Sequence, residues 1–248
     1  MATHGYPVEF PEIRLPEEDG IPLESPWHLK SISLLIAVLA FLFRDRKDYY
    51  CGGDMFIYYS REQARHHDFR GPDFFYVDGV DRLRPRGYWA VWEEDGKYPN
   101  MILELLSPST ADIDRTIKKR LYEKTFRTPD YFCFDPSSQL LEGWRLNQRQ
   151  RYVKLKPNNK GWLWCEELKV WIGTWTGEFL GERGTWVRFY AADGQLIATG
   201  EEAAKAREEA AKAREEAAKA REDAANSEIA RLKELLARHN GKSGNSNK

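Results

Sequence analysis

The run Met101-Ile-Leu-Glu-Leu-Leu106, closed at once by Ser-Pro-Ser-Thr, constrains this chain more than any other stretch. Five aliphatic residues out of six predict a short buried strand, and the Ser-Pro pair ends it. Glu104 sits in the middle. Burying an unpaired carboxylate costs several kcal/mol or forces its pKa to move. The strand therefore has to meet a structure that gives this acid a use.

The flanking sequence supplies that structure. Residues 109–126 predict a helix, with Ser109 or Thr110 as cap and Asp112 near the positive end of the dipole. Ile113, Ile117, Leu121 and Tyr122 mark its apolar stripe. "DYFCFDP" (130–136) predicts a further strand, as do "DMFIYYS" (54–60) and "PDFFYVDGV" (72–80). Residues 26–45 predict a core helix behind a Ser-Pro start that can cap it. The segment from Leu140 to Pro157 reads as a hairpin. "GWLWCEELKVWIG" and "GTWVRFYAADGQLIATG" add strands, with Asp193-Gly194 as a turn. The order is that of an α/β domain, a sheet flanked by helices.

Four regions follow: an extended arm over 1–24, a globular domain over 25–198, a charged helix over 199–240 and a disordered end over 241–248. In the third region "EEAAKAR" occurs three times in succession from Glu201. Alanine favours helix, and Glu201–Lys205, Glu208–Lys212 and Glu215–Lys219 are i,i+4 pairs in the favourable order. A seven-residue repeat favours left-handed supercoiling, and Ile229, Leu232 and Leu236 add an apolar seam at 3-then-4 spacing. A single solvated helix and an oligomeric coiled coil both satisfy the repeat. The unburied Ile/Leu end favours a homo-oligomer, with a dimer as the first expectation.

Composition removes several classes. A net charge of −1 gives no global basic field, so any nucleic-acid contact needs a local patch. Cys51, Cys133 and Cys165 lie too far apart for a metal knuckle and read as reduced thiols of a cytoplasmic protein. The longest apolar run, Ser33–Phe43, is shorter than the roughly 20 residues that cross a bilayer, so no membrane role is expected.

Asp73 opens the strand that precedes Glu104. One acid on each of two neighbouring strands can aim two carboxylates at one point, where they repel unless a cation intervenes. A hard divalent ion such as Mg²⁺ or Mn²⁺ takes oxygen ligands of this kind. A lysine nearby could then orient or deprotonate a water for attack on phosphorus. Lys118 lies i,i+4 from both Asp114 and Tyr122 and shares their helix face, whereas Lys119 is turned toward solvent. Taken together, the Pro-Asp strand opening at Asp73, Glu104 in "ILELLSPST", the D-x-x-x-K-x-x-x-Y helix and "DYFCFDP" resemble a large bacterial family of restriction endonucleases. That family was first catalogued as domain of unknown function 820, within the PD-(D/E)XK nuclease superfamily.

The resemblance runs from about residue 15 to 198. It implies a restriction-endonuclease-like core, a mixed central sheet between helices, and metal-dependent hydrolysis of DNA. Asp73 and Glu104 would be metal ligands and Lys118 the catalytic lysine, displaced from the strand because Leu106 holds the usual position. Glu24 and His28 match the family's N-terminal helix, and Glu24 would be a further metal ligand. The competing reading is a silent nuclease-like fold, kept for binding nucleic acid or a partner and oligomerised by its tail. RNA or another phosphoester is a third possibility.

Other residues read as structural. Ser107, Ser109 and Thr110 suit a turn and cap, His66 and His67 a polar surface, and the nine tryptophans packing or a dimer surface. DNA contacts are expected at residues 44–47, at 82–86 and at Arg115, Lys119, Arg120 and Lys124.

Overall fold

The structure, a computed structural model, describes Leu15 and residues 25–60, 62–63 and 71–243. The chain forms two units, Met1–Thr199 and Gly200–Lys248.

The first unit opens with helix α1, Pro26–Leu42. Ser25 caps it by accepting the His28 N–H, and Pro26 takes the first helical position, where no amide donor is needed. Strands β1 (Tyr49–Gly52), β2 (Ile57–Tyr58), β3 (Phe74–Asp78), β4 (Trp89–Ala90) and β5 (Met101–Leu105) follow. Helix α2 covers residues 111–126 as alternating α and π turns, the π turns being Asp114–Lys118 and Tyr122–Phe126. Strands β6 (Asp130–Asp135), β7 (Leu140–Leu146) and β8 (Tyr152–Lys154) complete a six-stranded sheet in the order β1-β3-β5-β6-β7-β8. Only β5 and β6 run parallel in it, and α2 is their crossover. Strands β9 (Leu163–Cys165), β10 (Val170–Phe179) and β11 (Glu182–Tyr190) form a second, antiparallel sheet.

Side-chain alternation sorts the core into two layers. Phe74, Met101, Leu103, Leu105, Phe132 and Phe134 face α1 and the second sheet, where Val38, Leu39, Ile172 and Trp186 meet them. Phe75, Ile102, Tyr131 and Cys133 point the other way, against Tyr122 and Phe126 of α2 and against Ile57 and Trp89. This is a mixed α/β fold with a central sheet covered on both faces. Among the described residues no helix is long and apolar enough to cross a membrane.

Two elements depart from the sequence reading. Strand β1 was not expected, because four residues after a charged "RDRKD" carry no local pattern. Its pairing with β3, Tyr49 opposite Asp78 to Gly52 opposite Phe75, creates it. "DMFIYYS" gives only a two-residue strand, because β4 offers it just two pairing positions.

The second unit holds the tail helix, Gly200–Ser243. Glu208 and Lys212 form the expected i,i+4 ion pair at 2.6 Å.

Asp130 ties the two sheets together. It is fully buried at the start of β6. Its Oδ1 accepts from Arg145 Nε at 2.6 Å, and its Oδ2 accepts the N–H groups of Glu166 (2.6 Å) and Glu167 (3.1 Å), beside β9. Removing one partner of such a cluster leaves buried donors unmatched. Asp130→Ala is expected to lower stability by about 3–5 kcal/mol in urea unfolding. A loss well under 1 kcal/mol would show that solvent satisfies Arg145 and the two amides (~1 kcal/mol per exchanged bond).

Candidate functional site

The pairing of β3 with β5 sets Phe74 opposite Leu103, so the same register sets Asp73 opposite Glu104. Residues directly opposed in an antiparallel pair point to the same face. Both acids thus lie on the face covered by α2, as Phe75 and Ile102 show. The Asp73 N–H donates to Glu104 Oε2 at 3.2 Å, and Asp73 Oδ2 accepts the Leu105 N–H at 2.6 Å. Gly53 lets this corner form: a Cβ there would collide with the Asp73 carbonyl oxygen and with Ile32.

Helix α2 completes the site. Lys118 Nζ stands 3.2 Å from Glu104 Oε1 and 2.8 Å from Asp114 Oδ1. Tyr122 donates its hydroxyl to Glu104 Oε1 at 2.9 Å. Glu104 and Tyr122 have no exposed surface, and Asp114 is 1% exposed. The structure therefore brings Asp73, Glu104 and Lys118 together. It adds Asp114 and Tyr122, which sequence reasoning treated as a plain ion-pair partner and a core residue. Their signal was the shared i,i+4 spacing about Lys118.

Electrostatics follow from this enclosure. Burial and then the Glu104 charge push the Asp73 carboxyl well above the ordinary aspartate range, with Lys118 and the Leu105 N–H opposing. Burial and Glu104 likewise raise Asp114. Burial works against the Lys118 charge, but Glu104, Asp114 and Asp73 outweigh it and hold the ammonium more firmly than in a free lysine. Tyr122 is driven up by burial and by Glu104, so its phenol stays a donor.

Of the remaining candidates, Glu24, His66 and His67 lie outside the described residues. His28 is buried, with Nε2 2.9 Å from the Leu105 carbonyl oxygen and Nδ1 2.9 Å from Ser25 Oγ. It braces the strand end and makes no contact with the carboxylates. Ser107, Ser109 and Thr110 bond to one another, and Ser107 Oγ accepts the Thr110 N–H at the head of α2. Several expected DNA contacts are already engaged. Arg46 binds Asp48 and Asp78, Arg86 grips buried Glu94 with two nitrogens, and Arg115 pairs with Glu142. Lys119, expected to face solvent, lies 3.9 Å over the Trp144 ring.

The site suits a hard divalent cation by its donor chemistry. Two opposed carboxylates, one of them held toward its neutral form by the other, gain from a cation between them. Among the described residues no group of three or more His, Cys, Asp or Glu is disposed to hold a metal. The chain would thus supply Asp73 and Glu104 and leave other positions to water and substrate oxygens, which Mg²⁺ accepts.

Residues 9–173 match the family model Uma2, described as "Putative restriction endonuclease". No curated protein matches the chain. Among solved structures, the chain is similar to a protein from Anabaena variabilis, titled a putative nuclease belonging to DUF820. The two share 13% identity over 59% of this chain and 76% of that one, with a TM-score of 0.43.

The crowding of acids carries a stability consequence. A carboxyl whose pKa is raised by folding stabilises the fold below its unfolded value, 3.8 for Asp73, and loses that contribution as pH rises toward the folded value. Asp73→Asn, which keeps an acceptor for Leu105 but never ionises, is expected to melt higher than wild type at neutral pH in EDTA. The gap should close as pH falls toward 3.8. A lower melting temperature across the whole range would mean that Asp73 is not under electrostatic stress.

Proposed function

The chain belongs to the Uma2 family, and on that premise we propose that it is a metal-dependent endonuclease that hydrolyses phosphodiester bonds of DNA. The observation that carries the reading is the convergence of Asp73, Glu104 and Lys118 on one enclosed point, with Lys118 Nζ 3.2 Å from Glu104. Asp73 and Glu104 would hold Mg²⁺ or Mn²⁺. When bound, the ion supplies Lewis-acid charge stabilisation and a more acidic water.

The chain's own groups have separate tasks. Tyr122 and the Asp73 N–H each fix one oxygen of Glu104, so the carboxylate cannot swing. Lys118 is held as an ammonium by its acidic neighbours. It is therefore a donor that orients the attacking water and offsets charge growing on the phosphate, rather than a base. Asp114 counterbalances that ammonium from the same helix. Three free thiols support a reducing, cytoplasmic setting.

One observation favours the silent, binding-only reading: Lys118 pairs with Glu104 at 3.2 Å and so gives that carboxylate a counter-charge from its own chain. Titration calorimetry with Mn²⁺ and Mg²⁺, followed by plasmid nicking, separates the two. Wild type is expected to bind metal and nick DNA, and the near-isosteric Glu104→Gln to lose both. Lys118→Met should keep metal binding while cutting about 10²–10³ more slowly. A wild type that neither binds metal nor nicks DNA would sink the nuclease reading and leave the binding protein.

The tail supports self-association. Ile229, Leu232 and Leu236 are 49%, 50% and 62% exposed and form an apolar seam along the helix. Pairing with a second copy would bury it. Sedimentation equilibrium is expected to give a dimer for wild type and a monomer when these three become serine. A monomeric wild type would remove the dimer.

A further inference from the structure

A second cationic site lies at the far end of α2. Lys124 and Arg127, at the close of that helix, meet Arg149 and Arg151 of the β7–β8 turn around a pocket of about 300 Å³. Glu123 is the one carboxylate in its wall. Four cations against one carboxylate leave a formal charge of +3. Glu123 is also partly spent: its Oε1 accepts the Tyr152 N–H at 2.8 Å, while its Oε2 lies 3.5 Å from Lys124 and 3.9 Å from Arg151.

One feature sets Arg127 and Arg149 apart. The Arg127 and Arg149 guanidinium groups have no ion-pair or hydrogen-bond partner among the described residues, whereas Arg46, Arg86 and Arg115 are bound to acids. Arg127 also sits at φ 51°, ψ 39°, the left-handed position that ends a helix. Glycine takes that conformation without strain, and a residue with a Cβ takes it at a cost. The negative end of the helix dipole accounts for cations at Lys124 and Arg127. It does not account for Arg149 and Arg151, which come from another element and aim at the same space.

We propose that this pocket binds a backbone phosphate of the nucleic acid, apart from the cutting centre, and so anchors the substrate. The inference rests on the nuclease reading above. Arg127 follows Lys118 by nine residues along the same helix, so the anchor would meet a different phosphate from the scissile one.

The test is fluorescence anisotropy of a short labelled duplex, in EDTA so that nothing is cut, over a series of KCl concentrations. Each lost phosphate contact should reduce the slope of log K against log salt by about 1. The double variant R127Q/R149Q is expected to bind several-fold more weakly, with a slope shallower by about 1, and to melt as wild type does. Arg127→Gly gives an independent readout. It should raise the melting temperature by relieving the left-handed strain, yet weaken binding. Unchanged affinity and slope in both variants, with plasmid nicking by wild type intact, would overturn the anchor and leave the nuclease standing. A wild type that neither binds the duplex nor nicks plasmid would overturn both.

Discussion

Three carboxylates share one ammonium in the enclosed space between α2 and the central sheet, and the local architecture answers that imbalance. Lys118 is the only cation in contact with Glu104 and Asp114 among the described residues, so losing it would strand buried charge. Asp73 and Asp114 relieve the excess by leaning toward their neutral forms. The arrangement remains short of positive charge, and its cost to stability and its fitness for a cation have the same origin.

That tension explains why supporting contacts converge on Glu104 rather than on Lys118. The glutamate is fastened by a phenol and an ammonium from α2 and by an amide at the opening of β3. A side chain held this way has no alternative rotamer to adopt when the charge around it changes. Lys118, 17% exposed at its side chain, is held between Glu104 and Asp114.

The strand–helix–strand segment from Met101 to Asp135 was legible because its information is local: an apolar run, a Ser-Pro break, a helix-forming stretch and another apolar run, although Ile113 and Ile117 of the expected stripe are 44% and 56% exposed on a helix with π turns. The opposition of Asp73 and Glu104 was legible in outline because each begins or interrupts an otherwise apolar strand. What escaped depends on partners distant in sequence. β1 exists only through β3, and Tyr122 looks like any aromatic on an apolar stripe until Glu104 is placed beneath it. Charge clusters misled for a related reason. "RDRK" and "RLRPR" are dense in sequence, but Arg46 and Arg86 fold back onto acids that sequence density does not reveal. Arg127 and Arg149, 22 positions apart, left no mark at all.

Gly53 shows how far such a centre extends beyond its chemistry. It supplies no donor, acceptor or charge, yet the space a methyl group would fill is taken by the Asp73 carbonyl oxygen and Ile32. Any larger residue must push back the strand opening that aims Asp73 at Glu104. The placement of the Asp73 carboxylate is thus felt at the end of the neighbouring strand as the exclusion of one carbon atom. A mutational scan would score position 53 beside Asp73 and Glu104, although what matters there is an absence.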